Sequence, residues 1–379
     1  MANIVLLRCD RTILEWYPRD GRRPGRPKGE QDLDYSEFFS RATDCSTFAY
    51  QQELSQGAQL PWVLNAPTGT GKTDAVVLAW LWRRRHHPSE AVRNATPRRF
   101  VYCLPTRVLV EQTAQKARTW LDNLDLLALD SESAWRIAVY QLMAGESGDD
   151  WDAWPEAEAV LVGTQDQLIS RALNRGYGTS RSRWPLQCGL LNSDALWVFD
   201  EVQLMGPALA TSLQLQGLRE KWGASAGPAS LWMSATLDTS SFTAPDFSPT
   251  DLSARTLTLS PADRRNPQLA MRLTASKPIQ QCSVTRAKGT SNYARDLAEA
   301  VQKAHVPGAR TLVVLNQVRR AQDLYRHLQR LQAKQAEAPA LLLLHSRFRP
   351  AERRELEQGL RRDPSPAGCI IVATQTVEA

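Results

Sequence analysis

Cysteine is sparse in this chain of 379 residues: six, at Cys9, Cys45, Cys103, Cys188, Cys282 and Cys369, with no Cys-x-x-Cys pair. Neither a zinc ribbon nor a disulfide framework is expected from that scatter, and reduced thiols are the default. No apolar run approaches the roughly 18 residues of a membrane-spanning helix, and the N-terminus lacks the apolar core of a signal peptide. Elimination leaves the cytoplasm as the expected location. No internal repeat is found beyond an echo between two halves. What is present is ordinary for a soluble globular protein: 42% hydrophobic and 23% charged residues, with length enough for two domains. Lys+Arg 46 against Asp+Glu 40 gives a net charge of +6, compatible with a polyanionic partner.

The densest signal is Asn65-Ala66-Pro67-Thr68-Gly69-Thr70-Gly71-Lys72-Thr73. An apolar run of strand character, Trp62-Val63-Leu64, precedes it, and an apolar run of helical length follows from Asp74 to Trp82. Strand, Gly-rich turn and helix together make a phosphate-binding loop. Gly69 and Gly71 let the backbone curl so that successive N–H groups converge on anionic oxygens. The helix N-terminus adds a positive dipole end. Lys72 is expected to supply charge to the β- and γ-phosphates of ATP, and the Thr73 hydroxyl to ligate Mg²⁺. Ala66 stands where the usual G-x-x-x-x-G-K-[ST] pattern begins with glycine.

Apolar runs then alternate with amphipathic segments as a parallel sheet demands. Strands are predicted at 62–65, 100–104, 137–140, 159–163, 195–199 and 230–234, with helices at 73–85, 107–121, 165–174 and 208–220. A second alternation follows: helix 292–304, strand 311–315, helix 317–331, strand 340–344, helix 350–360 and strand 369–373. The fold class read from this is α/β, two tandem RecA-like parallel-sheet domains of the P-loop NTPase kind, the second incomplete. The expected divisions are a leader with a basic linker (1–44), an ATP-binding domain (45–238), a Ser/Thr/Pro-rich linker with a surface strand (239–285) and a partial second domain (286–379). Within the leader, 4–7 reads as a strand or a short leader element. Residues 22–29, Arg-Arg-Pro-Gly-Arg-Pro-Lys-Gly, approach a minor-groove AT-hook, but Pro24 breaks its core and a flexible basic linker is favoured.

Leu196-Trp197-Val198-Phe199 runs directly into Asp200-Glu201-Val202-Gln203. A strand ending in two acids puts them at the carboxyl edge of the sheet, where α/β sites lie. Asp200 is the second expected Mg²⁺ ligand, and Glu201 the group that orients and deprotonates an attacking water. Ser234-Ala235-Thr236 ends a later strand, where its hydroxyls can hydrogen-bond the acidic motif. Leu104-Pro105-Thr106-Arg107 and Gly163-Thr164-Gln165 end two more, positioned to contact the phosphates of one nucleic-acid strand. Asn316, His345, Arg347 and Thr374 are the corresponding nucleic-acid or coupling candidates in the second domain. Arg347, Arg349, Arg353 and Arg354 read as a solvated face, with phosphate contact by Arg347 or Arg349 an equal alternative. His86-His87, beside Arg83-Arg84-Arg85, reads as solvated. Most of the 12 tryptophans, including Trp80, Trp82 and Trp197, sit at core spacing.

In this order the loop, the acids and Ser-Ala-Thr resemble a superfamily 2 helicase, in which Ala at the first loop position is common. Within that superfamily, residues 65–73, 192–206, 344–348 and 372–379 look like the helicase portion of the CRISPR-associated helicase–nuclease of type I systems. Glu201-Val202-Gln203-Leu204-Met205 is similar to the I-U (I-G) subtype, with Gln203 in place of the usual His. The resemblance implies ATP-driven 3′-to-5′ translocation on single-stranded DNA after recruitment by a guide-RNA surveillance complex. It implies an adenine-reading role for Gln51, near Phe48, Tyr50 and Gln52, and nucleotide contact by Gln203. The family's HD nuclease needs clustered His and Asp. This chain has five His and no His-Asp pair, so that domain is expected outside it, as is the arginine-bearing motif VI. Two other readings stay open: a DExH-type RNA helicase, and an ATP-binding fragment without turnover.

Overall fold

The computed structural model describes residues 33–128, 136–143, 150–223, 230–236, 242–249, 251–275, 292–333, 337–349 and 363–374, with a few isolated positions between them. The expectations for 4–7, 22–29, Arg353, Arg354 and 375–379 lie outside the described residues, as does most of the helix expected at 350–360. The chain forms two compact units, Met1–Ala275 and Ser276–Ala379.

The first unit runs α1 (Tyr35–Thr43), α2 (Ala49–Gln56), β1 (Val63–Asn65), α3 (Lys72–Arg85), α4 (Glu90–Ala95), β2 (Arg99–Leu104), α5 (Arg107–Asn123), β3 (Ala138–Leu142), β4 (Ala159–Thr164), α6 (Gln165–Ala172), α7 (Trp184–Asn192), β5 (Ala195–Phe199), α8 (Pro207–Trp222), β6 (Ser230–Ser234), β7 (Thr256–Thr258), α9 (Pro261–Arg265) and α10 (Pro267–Thr274). Its sheet has seven strands in the order β3-β4-β2-β5-β6-β1-β7, and every pairing is parallel. A parallel sheet covered on both faces needs near-continuous apolar strands, and β2, β5 and β6 are buried at every position. Alternate residues serve opposite faces. Leu64, Tyr102, Val198 and Met233 pack with α1, α2, α3 and α5, while Val63, Cys103, Phe199 and Trp232 pack with α6, α7 and α8.

Two boundaries differ from the sequence reading. Part of the span read as linker belongs to the first unit: β7 pairs in parallel with β1, Val63 opposite Thr256, and Asp263 in α9 accepts a hydrogen bond from the Tyr50 amide at 3.3 Å. The surface strand expected in that span is there as the three-residue β7, but it belongs to the first unit's sheet, a pairing too short for any strand period to reveal. Part of the leader is likewise structural. Asp34 and Glu37 close a capping box on α1, and Phe38 packs against Trp82 at 5.4 Å between ring centroids. These covering elements also correct the solvated reading of the α3 end. Arg83, Arg84 and His87 are buried, Arg83 donates to the carbonyls of Ser55, Gly57 and Ala58, and His86 stacks on Trp82.

The second unit contains α11 (Tyr293–Ala304), β8 (Arg310–Val314), α12 (Val318–Gln332), β9 (Ala340–Leu344) and β10 (Cys369–Ala373). Its three strands are parallel in the order β8-β10-β9. Ile370 and Val372 face α11 and α12, and Cys369 and Ile371 face the other side. Among the described residues no helix is long and apolar enough to cross a membrane.

Candidate active site

Because the strands of the first unit are all parallel, their carboxyl ends share one edge, and each sequence motif follows one of those ends. After β1 the chain turns through Gly69 and Gly71, both with positive φ. Gly71 caps α3 at φ 79°, a left-handed conformation that favours glycine, and a Cβ there would also press on Gln51 Nε2 at 3.0 Å. Helix α2 braces the loop from behind. The Tyr50 hydroxyl donates to Thr70 O at 2.7 Å, and Gln51 Nε2 donates to Gly71 O at 3.2 Å. Gln51 Oε1 accepts from the Phe48 amide at 2.9 Å. The observed work of Gln51 is thus to shape the loop. Arg272 of α10 donates to Gly69 O.

Lys72 Nζ lies inside the loop, donating to Ala66 O at 2.8 Å and Pro67 O at 3.4 Å. Burial pulls its pKa down, opposed by the charges of Asp200 and Glu201. Thr68 and Gly69 form the exposed tip, and Thr70 closes the turn by donating to Pro67 O at 2.8 Å.

Across the edge, Asp200 follows β5 and is 7% exposed. Its Oδ1 accepts from the Glu201 amide at 2.8 Å and its Oδ2 from the Tyr102 hydroxyl at 2.8 Å. The same hydroxyl lies 3.3 Å from Thr73 Oγ1. Burial raises the Asp200 pKa, and the Tyr102 hydrogen bond works against that rise. Burial, reinforced by the Asp200 charge, keeps the phenol itself protonated. Glu201 adopts a left-handed conformation, φ 50° and ψ 48°, which costs a non-glycine residue about 1–3 kcal/mol and is typical of functional positions. Its carboxylate accepts from Gln203 Nε2. Gln203 Oε1 accepts from Ser234 Oγ at 2.9 Å, and Ser234 Oγ accepts from the Thr236 amide at 3.0 Å. A hydrogen-bonded chain therefore joins the acid pair to the end of β6.

Thr73 and Asp200 offer hydroxyl and carboxylate oxygens brought together by one shared neighbour. A small set of hard oxygen donors suits Mg²⁺, which keeps several of its waters; the residues fit the ion. Among the described residues no group of three or more His, Cys, Asp and Glu gathers as a metal site.

The remaining strand ends divide by exposure. Thr106 caps α5, its side chain accepting from the Leu109 amide at 3.5 Å, and Arg107 beside it is exposed. Thr164 and Gln165 open α6, with Gln165 Oε1 buried and unpartnered. Thr236 is exposed. In the second unit Asn316 is exposed, its Oδ1 accepting from Arg320 at 3.0 Å. Arg347 is exposed. The Thr374 amide donates to Leu344 O at 3.0 Å. His345, also a nucleic-acid or coupling candidate, lies in the turn that follows β9. It is 4% exposed, stacked on Phe348 at 4.3 Å, and its Nδ1 accepts from the Arg347 amide at 3.3 Å. Burial lowers its pKa. The ring shapes the turn that presents Arg347.

Sequence reading missed Tyr102 and Arg272. The signal for Tyr102 was a hydroxyl within the apolar run 100–104, where a buried polar group needs a partner. Arg272 had none, being one of many arginines in a span read as linker.

A family model described as DEAD/DEAH box helicase matches residues 50–243. A second, described as CRISPR-associated nuclease/helicase Cas3, C-terminal, matches residues 307–379. No curated protein matches the chain. Among solved structures, Cas3 of T. fusca with AMPPNP is similar at a TM-score of 0.56 and 19% identity, over 90% of this chain and 42% of that one. The DUF1998 helicase MrfA bound to DNA and AMPPNP gives 0.54 and 18%, over 92% and 44%. The Mycobacterium smegmatis helicase Lhr bound to ssDNA and AMP-PNP gives 0.52 and 18%, over 91% and 42%. The chain spans less than half the length of these three proteins, and at such identities the likeness is one of fold.

Proposed function

Because the chain belongs to the DEAD/DEAH box helicase family, we propose that it is the ATP-driven motor portion of a type I CRISPR interference helicase, translocating 3′ to 5′ on single-stranded DNA. The observation that carries this reading is the hydrogen-bonded chain from Glu201 through Gln203 to Ser234, beside a phosphate-binding loop. Residues 66–73 hold the phosphates with backbone N–H groups and the Lys72 ammonium. Thr73 and Asp200 would hold Mg²⁺, which would supply positive charge against the nucleotide's phosphates. Glu201, fixed by its backbone conformation and by Gln203, takes the proton from the attacking water. Gln203 and Ser234 pass the state of that site to Thr236 at the exposed edge. Thr106, Arg107, Thr164 and Gln165 meet backbone phosphates along that edge of the first unit. Within the second unit, considered by itself, Asn316, Arg347 and Thr374 are the phosphate or coupling contacts of this reading.

The similarity of residues 307–379 to the CRISPR-associated C-terminal family supports DNA as the track and a guide-RNA surveillance complex as recruiter. The HD nuclease is then supplied from outside these 379 residues. Gln51, which braces the loop, is also placed in this reading to meet adenine. ATP hydrolysis measured with matched single-stranded DNA and RNA is expected to rise several-fold more with DNA. Equal or greater stimulation by RNA overturns the CRISPR reading in favour of a DExH RNA helicase. Lys72→Ala is expected to weaken binding of a fluorescent ATP analogue about 10–100-fold, from lost charge-assisted hydrogen bonds of about 1.5–3 kcal/mol. Unchanged affinity would remove the loop from the reading.

A further inference from the structure

We propose that Tyr102 is a positioning residue for the divalent cation: its hydroxyl fixes the Asp200 carboxylate beside Thr73 and thereby sets Mg²⁺ affinity. The inference rests on the reading of residues 66–73, 200 and 201 as an ATP site. It names a residue outside every motif that the sequence displayed.

Tyr102 stands in β2 opposite Val198 of β5, on the face of the sheet that packs against α3 and α5. From there its hydroxyl reaches two groups far apart in sequence, Thr73 at 29 positions and Asp200 at 98. A phenol has one hydrogen to donate. A carboxylate is the stronger acceptor, and the 2.8 Å contact to Asp200 Oδ2 against 3.3 Å to Thr73 Oγ1 agrees with that assignment. With Oδ1 held by the Glu201 amide, each carboxylate oxygen has one fixed donor. Rotation of the group is blocked, while further lone pairs remain on both oxygens for a hydrated ion. The ring is fully buried and packs on Phe100 at 5.9 Å, so the hydroxyl itself is held by the core. Groups that orient a metal's ligands commonly change metal affinity 10–100-fold when removed.

The competing view is that the hydroxyl only satisfies a buried carboxylate and contributes to stability alone. The test uses the full chain as parent, Tyr102→Phe, Asp200→Asn and the double variant. Each is titrated with a fluorescent ATP analogue in EDTA and then across Mg²⁺, with Mn²⁺ binding followed by electron paramagnetic resonance and melting by circular dichroism. Tyr102→Phe is expected to keep metal-free nucleotide affinity within about two-fold and to raise half-saturating Mg²⁺ and Mn²⁺ about 10–100-fold. Asp200→Asn should raise them too, with the double variant well short of the product of the two, because Tyr102 acts through Asp200. Unchanged metal dependence, multiplicative effects, equal loss of affinity with and without metal, or a Tyr102→Phe chain that does not fold each overturn the proposal. A parent that binds no nucleotide in either condition overturns instead the ATP-site reading beneath it.

Discussion

Glu201→Gln is expected to lower nucleic-acid-stimulated ATP hydrolysis about 10²–10⁴-fold, the range for losing a positioned general base, while nucleotide affinity stays within a few-fold of the parent. The amide keeps the size of the side chain and can still meet Gln203, but it cannot take a proton. The left-handed backbone at Glu201 belongs to the tertiary fold and is unaffected by that change. Binding and turnover should therefore separate cleanly, in contrast to Lys72→Ala, which acts on binding. Phosphate release and analogue titration on the same samples measure both. Hydrolysis within ten-fold of the parent would assign the proton transfer to another group and leave Glu201 a structural role.

Trp232→Ala is expected to destabilise the first unit by about 3–5 kcal/mol, the usual cost of truncating a buried large aromatic. Trp232 is fully buried in β6, stacked on Phe199 at 5.8 Å and edge-on to Phe242 at 5.3 Å, with Trp62 and Phe247 close by. Its indole N–H donates to Ser212 Oγ at 2.9 Å. Truncation opens a cavity between the sheet and α8 and leaves that hydroxyl without its donor. Trp232→Phe should cost less, since it keeps part of the volume and loses mainly the hydrogen bond. Urea unfolding reads both, and a cost below about 1 kcal/mol for the alanine variant would mean that the site collapses to fill the space. Because Ser234 lies two residues on in the same strand, the alanine variant should also weaken nucleic-acid stimulation of hydrolysis.

Strands at 195–199, 230–234, 340–344 and 369–373 were legible to the residue; those at 195–199, 230–234 and 369–373 are buried at every position, and a strand buried on both faces reads as a short apolar run. Helix α7, with Pro185 and Gly189 inside it, and strand β7, with three residues, gave no comparable pattern. The tryptophans read at core spacing are there: Trp80, Trp82 and Trp197 are all buried. The solvated reading of His86-His87 failed because α1 and α2 cover that helix end, Phe38 packing on His86 and Gln56 O meeting His87. Charge in a sequence cannot say which carbonyls will come to meet it, and here those of Ser55, Gly57 and Ala58 do.

By itself the sequence determined the phosphate-binding loop and the acid pair, since each acts through residues consecutive in the chain. Loop amides cradle a phosphate by local curvature, and two acids reach the sheet edge because the strand before them ends there. Only the tertiary structure decided how these pieces are held. Tyr50 supports the loop from α2, Gln203 joins Glu201 to Ser234, and Tyr102 brings Thr73 and Asp200 to one hydroxyl. Those contacts depend on which strands lie side by side, and the order β2-β5-β6-β1 is a property of the packed sheet that no local stretch of sequence encodes.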